Sequence, residues 1–389
     1  MSLGLGTSLS KSGLITPGIV TDSLVLKHNY AAGGVVPVSD GAVYLDSIDD
    51  YVDFGDSLDL GTANFSIAFW VNTNDLTTNY FISKYEDANN YWYIRGNSSD
   101  QIQFHSVAPS GTNISFNTIA QTALENTWIH IVVTSDRSGA SHKIYINGEL
   151  SETDTDSSTT TLTNDGSLNL NKYATSYGSA AGGSDYNYIC NVGVWSAVLT
   201  QAQIKSIMWK NYAGLTSSET ENLVSWWNLD SSEADVEGDG IVHDNHYGGS
   251  TELGSELLTN GSLATGDLSG WTVGAGGDGV TPYYDIGGIR MKNGASAGNV
   301  YILQDILVQG GVYEISYEIV ENNGGTLSFE DDDSIAIPST VGTHTIRWYF
   351  NDGGDGYMVI KRTATVANVD ILIDNISCKR LQGNPGKLT

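Results

Sequence analysis

The sequence predicts an all-β protein, two tandem β-sandwiches with an extended N-terminal arm and one short helix. Three observations carry this. Phe65, Ile67, Phe69 and Val71 alternate along FSIAFWV, the period-2 pattern of a strand with one face in a core. Short alternating segments of the same kind recur along most of the chain, punctuated by Gly-, Asn- and Asp-rich turns. At 389 residues the chain is also longer than one ordinary core fills, so two domains are expected.

Composition narrows the function. Hydrophobic residues make up 40%, with Trp 9, Tyr 21 and Phe 8, ample for packed sheets and unlike a disordered chain. Asp and Glu outnumber Lys and Arg 45 to 17, a net charge of −28 that argues against nucleic acid and anionic membrane surfaces as partners. It leaves a solubilising acidic surface, or carboxylate clusters that gather Ca²⁺. The two cysteines, Cys190 and Cys378, sit in apolar strand patterns and read as buried thiols rather than a disulfide. The first twenty residues show neither a basic leader nor a continuous apolar stretch, so no secretory signal is expected. No segment approaches the ~18 apolar residues of a membrane span.

Residues 1–40, rich in Gly, Ser and Val, read as the arm. From residue 41 to 230 strand signals follow one another: 80–85 with 91–95, 101–107 with 113–119, 128–135, and KIYINGEL at 143–150, where Asn147-Gly148 suits a tight hairpin. Residues 151–164 read as a Ser/Thr/Asp loop. The helix is expected from Gln201 to about Tyr212, with Thr200 and Gln203 as a capping box and Leu199 with Ile204 as a hydrophobic staple. Residues 231–253 form an acidic linker, 254–381 a second β-domain and 382–389 a tail. In the second domain Tyr313, Ile315, Tyr317 and Ile319 share one strand face, and 344–350 with 357–361 read as a hairpin.

Taken in order, YLDSIDDYVDFGDSLDLGTANFSIAFWVNT, NTWIHIVV, IYINGE and YICNVGVWSAVLTQAQI resemble a laminin-G-like, concanavalin-type jelly roll over residues 42–212. Cys190 and Asn191 stand where many relatives carry acids. The resemblance implies that Trp70, Trp128 and Trp195 are structural. LVSWWNL at 223–229 resembles the family's leading strand and is expected to return to this domain. ELLTNGSLATGDLSGWTV and VANVDILIDNISCKRL resemble the opening and closing strands of galactose-binding-like carbohydrate-binding modules. The N-terminal MSLGLGTSLSKSGLITPGIV ahead of such a domain resembles structural proteins of marine tailed phages.

Candidate sites follow. Asn260 and Asp374 match places where the related modules hold structural Ca²⁺. Asp46, Asp49, Asp50 and Asp53 crowd one turn and repel unless neutralised, which suits a cation. Asp235, Glu237 and Asp239 open like an EF-hand loop, but His246 stands where its final acid is required. His243 and His246 make only a bare HxxH. Glu152, Asp154 and Asp156 are the nearest approach to a glycosidase carboxylate pair, but they lie in a Ser/Thr-rich segment without an apolar backing, so no enzyme is expected. For glycan stacking the candidates are Tyr283, Tyr284, Trp348 and Tyr357. Met1, Leu3, Leu5, Leu9, Leu14 and Ile15 are the candidate assembly contacts of the arm.

These readings converge on a non-enzymatic phage virion structural protein, as capsid decoration, head fibre or tail appendage, with jelly rolls suited to glycan or host-surface adhesion. Its expected partners are other virion proteins, further copies of itself and a cell-surface glycan. Structural Ca²⁺ is the one expected cofactor, and the expected location is the virion. The competing reading is a secreted accessory carbohydrate-binding protein of a polysaccharide-degrading bacterium.

Overall fold

The computed structural model describes residues 35–46, 48–109, 113–155, 160–177, 185–230, 240–247, 253–274, 280–293, 300–329, 336–350, 355–363 and 368–389. The arm contacts Met1, Leu3, Leu5, Leu9, Leu14 and Ile15, together with Asp156, Asp235, Glu237 and Asp239, lie outside them.

The first sandwich contains β1 (Val43–Asp46), β2 (Val52–Asp53), β3 (Phe65–Thr73), β4 (Tyr80–Asp87), β5 (Asn90–Gly96), β6 (Gln101–Val107), β7 (Ser115–Ala120), β8 (Trp128–Asp136), β9 (Ser141–Ile146), β10 (Glu149–Asp154), β11 (Ser167–Leu170), β12 (Lys172–Tyr173), β13 (Ser176–Tyr177), β14 (Tyr186–Trp195), β15 (Leu223–Trp227) and β16 (Ile241–Val242). The second contains β17 (Leu253–Glu256), β18 (Thr272–Gly274), β19 (Tyr283–Asp285), β20 (Gly288–Lys292), β21 (Tyr301–Asp305), β22 (Gly311–Gly324), β23 (Leu327–Phe329), β24 (Ala336–Ile337), β25 (Gly342–Phe350), β26 (Tyr357–Arg362) and β27 (Asp370–Leu381). A last strand, β28 (Gly386–Leu388), belongs to the first sandwich.

In the first sandwich one sheet runs β1-β14-β3-β8-β9-β10, with β15 also on β14, and the other runs β16-β28-β2-β11-β4-β5-β6-β7. Phe65, Ile67, Phe69 and Val71 fill the core between them, as their alternation requires. The intervening Ala68 and Trp70 are buried too, because the outer face of β3 is itself covered: Ala68 packs with Trp195, Trp226, Ile204 and Ile207 beneath the helix, and Trp70 with Cys190 and Met208. Trp195 and Trp70 are thus structural, while Trp128 is only half-buried. Both cysteines are buried and free, and burial pushes each thiol up to about 12. Asn147 and Gly148 take φ of 52° and 80°, the left-handed pair that a two-residue hairpin needs.

Helix α1 spans Gln201–Ile207, with the Thr200/Gln203 capping box formed. It stops short of Tyr212 because the amides of Trp209 and Lys210 turn to carbonyls three residues back, on Ser206 and Ile207. The segment after 150 is likewise shorter as a loop than its composition suggested, since β10 runs on to Asp154.

The second sandwich packs a sheet β19-β20-β27-β22-β25, with β17 on β27, against β18-β21-β26-β23-β24. Tyr313, Ile315, Tyr317 and Ile319 of β22 are fully buried in its core. Residues 344–350 and 357–361 are not a hairpin: β25 pairs with β22 and β26 with β21 and β23, so the chain crosses between sheets. Trp348 and Phe350 meet Met358 and Ile360 across the core rather than along one sheet.

Ile241 and Val242 of the linker, as β16, and the tail both join the first sandwich. β28 lies between β16 and β2, so residues 386–388 are a central strand rather than a tail. LVSWWNL also returns, as β15 on β14. The second sandwich is therefore an insertion between strands of the first. Ile241, Val312 and Leu381 form a small core where the two meet, and Gly55 and Gly310 approach so closely that a Cβ on Gly55 would stand 2.7 Å from the Gly310 Cα.

Candidate functional site

On β5, Trp92 and Ile94 point into the core, so Tyr91, Tyr93 and Arg95 must point out. On β6 the same alternation turns Gln103 and His105 outward while Ile102 and Phe104 go in. Register completes the surface by pairing Tyr85 with Tyr91, Tyr93 with His105, and Arg95 with both Tyr80 and Gln103. Asn117 and Ser115 of β7 continue the row beside Gln103 and His105.

Tyr173, carried in by the β12–β13 turn, sits among these rings. It stacks on Tyr80 at 4.6 Å and 11°, and meets Tyr85, Tyr91 and Tyr93 edge-on at 5.0, 5.3 and 5.2 Å. The Arg95 guanidinium lies 4.7 Å from the Tyr93 ring centre and donates to the Tyr80 hydroxyl at 2.8 Å and to Gln103 Oε1 at 3.0 Å. Burial pushes the Tyr93 phenol up to about 12 and raises Tyr173 as well, so both stay protonated donors. Burial, and then the Arg95 charge, lowers His105, which keeps its imidazole neutral at pH 7. The face is therefore a rigid tyrosine shelf bordered by Gln103, His105, Asn117 and Ser115. Tyr80 and Tyr93 are buried and support it from below, while the half-buried rings of Tyr85, Tyr91 and Tyr173 can take the C–H face of a sugar, and its amides and imidazole can meet hydroxyls. Sequence reading missed it. The signal was the spacing of YWYIR and QFH, which puts tyrosines, Arg95, Gln103 and His105 on the side away from the core.

The sequence candidates are placed as follows. Trp348 is core: it is 4% exposed and stacks on Phe329 at 5.0 Å and 9°, because its place in β25 faces inward. It cannot contact a glycan. Tyr283, Tyr284 and Tyr357 are exposed, at 46%, 36% and 38%. Tyr283 and Tyr284 lie on edge strand β19, whereas Tyr357 opens β26 in the opposite sheet.

Asp46, Asp49 and Asp50 converge, with carboxylate oxygens within 4.8 Å of one another. Asp46 accepts from the amides of Ile48 and Asp49, which hold its pKa below the usual carboxylate range. Asp53 is not part of the group: it is buried and turned to the Gly55 amide at 2.8 Å. Asn260 adopts φ 55° and donates to the carbonyls of Asp267 and Ser269, closing its own loop. Asp374 stands opposite Glu318, and burial followed by that charge raises its pKa. Asp75, Asp100 and Glu125 form a further carboxylate group that spans three loops and has no local sequence signature. His243 faces Arg347 and His246 faces Tyr212, so the HxxH pair does not converge on one point. Glu152 and Asp154 lie on edge strand β10 opposite Ile144 and His142.

Residues 46–205 match the family model of the concanavalin A-like lectin/glucanases superfamily. Over those residues the first sandwich is similar to the concanavalin A-like jelly rolls. No curated protein matches the chain. Among solved structures, a Bacteroides ovatus protein proposed to bind carbohydrate is similar at 17% identity and TM-score 0.38, over 53% of this chain and 56% of its own. The CBM40 of the Ruminococcus gnavus IT-sialidase, bound to α2,3-sialyllactose, is similar at 11% identity and TM-score 0.31, over 43% of this chain and 100% of its own. The binding domain of Botulinum neurotoxin serotype D is similar at 15% identity and TM-score 0.34, over 85% of this chain and 86% of its own.

Proposed function

We propose that the chain is a non-enzymatic, glycan-binding structural component of a phage particle, a capsid decoration, head fibre or tail appendage. It contacts host-surface sugar through the tyrosine shelf of its first sandwich. The observation that carries this reading is the gathering of Tyr80, Tyr85, Tyr91, Tyr93 and Tyr173 with Arg95, Gln103 and His105 on the outer side of β4–β6. Aromatic rings of this kind give contact area at small entropic cost, and the lectin-type family match supports a sugar-binding scaffold. The phage setting rests on the resemblance of the N-terminal sequence. There Met1, Leu3, Leu5, Leu9, Leu14 and Ile15 would contact other virion proteins or a further copy, and display in many copies would make weak sugar contacts effective. Of the acids, Asp46, Asp49 and Asp50 fit a structural Ca²⁺, being three converging oxygen donors on one turn.

Two measurements test the proposal. On a glycan array, the wild-type chain is expected to bind and Tyr91→Ala to lose about fivefold or more, as roughly 1 kcal/mol of ring contact implies, with no release of reducing sugar. Mass spectrometry of purified particles is expected to find the chain at a fixed stoichiometric copy number. Sugar binding without incorporation into particles would overturn the phage half in favour of a secreted accessory protein. Sugar release would overturn the non-enzymatic half.

A further inference from the structure

A cleft of about 340 Å³ opens at one end of the six-stranded sheet of the second sandwich, far in sequence from the tyrosine shelf. Its walls are strand residues held in register: Lys292 of β20 and Gly324 of β22 both stand beside Asp370 of β27. Asn293 and Val369 fix its base through two backbone-anchored hydrogen bonds, Val369 N to Asn293 Oδ1 at 2.7 Å and Asn293 N to Val369 O at 3.3 Å. The exposed carboxamides of Asn323 and Asn368 flank the opening. At Gly324 a Cβ would meet nothing within 4 Å, so the wall there is bare backbone facing open space.

Charge selects the ligand. Lys292 Nζ bonds Asp370 Oδ2 at 2.7 Å, while Arg290 reaches Asp370 at 3.3 Å, Glu321 at 2.8 Å and Asp285 at 3.4 Å. Two cations are thus matched by three carboxylates, which leaves no surplus positive charge for an anion. What the cleft offers instead is a mixture of donors and acceptors at fixed spacing, the pattern that adjacent hydroxyls satisfy because each both donates and accepts. Tyr283 supplies the apolar partner. It pairs with Arg290 and so shares the outer face with Arg290 and Lys292, and its ring is 46% exposed. The volume is at the small end of the ~300–1,000 Å³ typical of small-ligand sites, which suits a mono- or disaccharide.

We infer that this cleft is a second sugar subsite, selective for a neutral glycan and independent of the tyrosine shelf. Lys292 and Asp370 engage vicinal hydroxyls, Asn323 and Asn368 bond at the rim, and Tyr283 stacks on the ring.

Saturation-transfer NMR on the full chain tests it, using methyl glycosides of glucose, galactose, mannose and xylose as probes and glucuronate as the charged counterpart. At least one neutral glycoside is expected to show contact that survives Tyr91→Ala. Tyr283→Ala and the double change Asn323→Ala/Asn368→Ala should each weaken it about fivefold or more, the effect of losing roughly 1 kcal/mol of stacking or hydrogen bonding. These positions are exposed, so an unchanged melting temperature confirms folding. A signal lost with Tyr91→Ala but untouched by the second-sandwich variants overturns the inference and leaves the shelf standing. A preference for glucuronate, or no contact with any neutral probe, also overturns it.

Discussion

The indole Nε1 of Trp227 donates to the backbone carbonyl of Asn384 at 2.7 Å, a bond between residues 157 positions apart. Around it, the Asn384 amide donates to Asp244 Oδ2 at 3.0 Å, and its side chain reaches Ser225 at 2.6 Å. Together with β28 these contacts fasten the last residues of the chain to the first sandwich, after the second has been built. Trp227→Phe keeps the ring packed on Phe54 (centroids 4.3 Å apart) but orphans the carbonyl. A loss of about 1–2 kcal/mol, a few degrees in melting temperature, is expected. Deleting residues 383–389 strips β2 and β16 of their shared partner and should split one calorimetric transition into two. A single unshifted transition after the deletion would show that the clasp contributes nothing.

Lys84 is fully buried, and its ammonium is held by Asp56 at 2.8 Å, Asp59 at 2.9 Å and the Ser57 carbonyl at 2.9 Å. The two acids are about half-exposed. Removing the lysine leaves carboxylates that water can solvate. Removing the acids strands a buried cation. The double change Asp56→Asn/Asp59→Asn is therefore expected to cost about 3 kcal/mol or more, and Lys84→Met clearly less. Urea titration of both variants checks the order, and equal losses would contradict it.

The fold was legible where periodicity is clean. The Phe65–Val71 alternation, the Tyr313–Ile319 face and the Thr200/Gln203 cap each form as read, because burial of one face or two cap bonds decides them locally. The site was less legible. Tyr283 reads as exposed and is, but Trp348 has the same sequence appearance and lies against Phe329, since facing depends on which sheet β25 joins. The tyrosine shelf needs strands β4, β5, β6 and β12 in register, and Asp75, Asp100 and Glu125 need three loops to meet. The closing strand at 386–388 has three residues, too few to carry a pattern.

Glu219 makes an acid-sensitive link beside the helix. Burial alone would raise its pKa. Hydrogen bonds from Lys210 Nζ at 2.6 Å, the Thr216 amide at 2.7 Å and the Thr216 hydroxyl at 2.8 Å outweigh that and hold it at about 2. The folded value lies below the ordinary 4.5, so the stabilisation is complete above pH 4.5 and drains away as pH falls toward 2. The shift corresponds to about 3 kcal/mol. Glu219→Gln is expected to destabilise the chain at pH 7 and to flatten its stability profile between pH 4.5 and 2. A variant with the wild-type slope in that interval would sink the assignment.

The Asp46–Asp49–Asp50 turn separates two ways of neutralising crowded carboxylates. Asp46 is already bonded to backbone amides, and Asp50 Oδ2 accepts from the Asp46 amide at 3.1 Å, so the turn can close without an ion. Asp49 is the exposed member of the three. If Ca²⁺ binds the folded turn only, melting after chelation and again at 100-fold excess over Kd should differ by about 2.7 kcal/mol of stability. Asp49→Asn should remove most of that difference while leaving the ion-free melting temperature unchanged or slightly higher, because it relieves repulsion. Mg²⁺ should substitute poorly, since it demands a tighter octahedral set than one flexible turn provides. No calcium-dependent shift in the wild-type chain would assign the turn to amide capping alone.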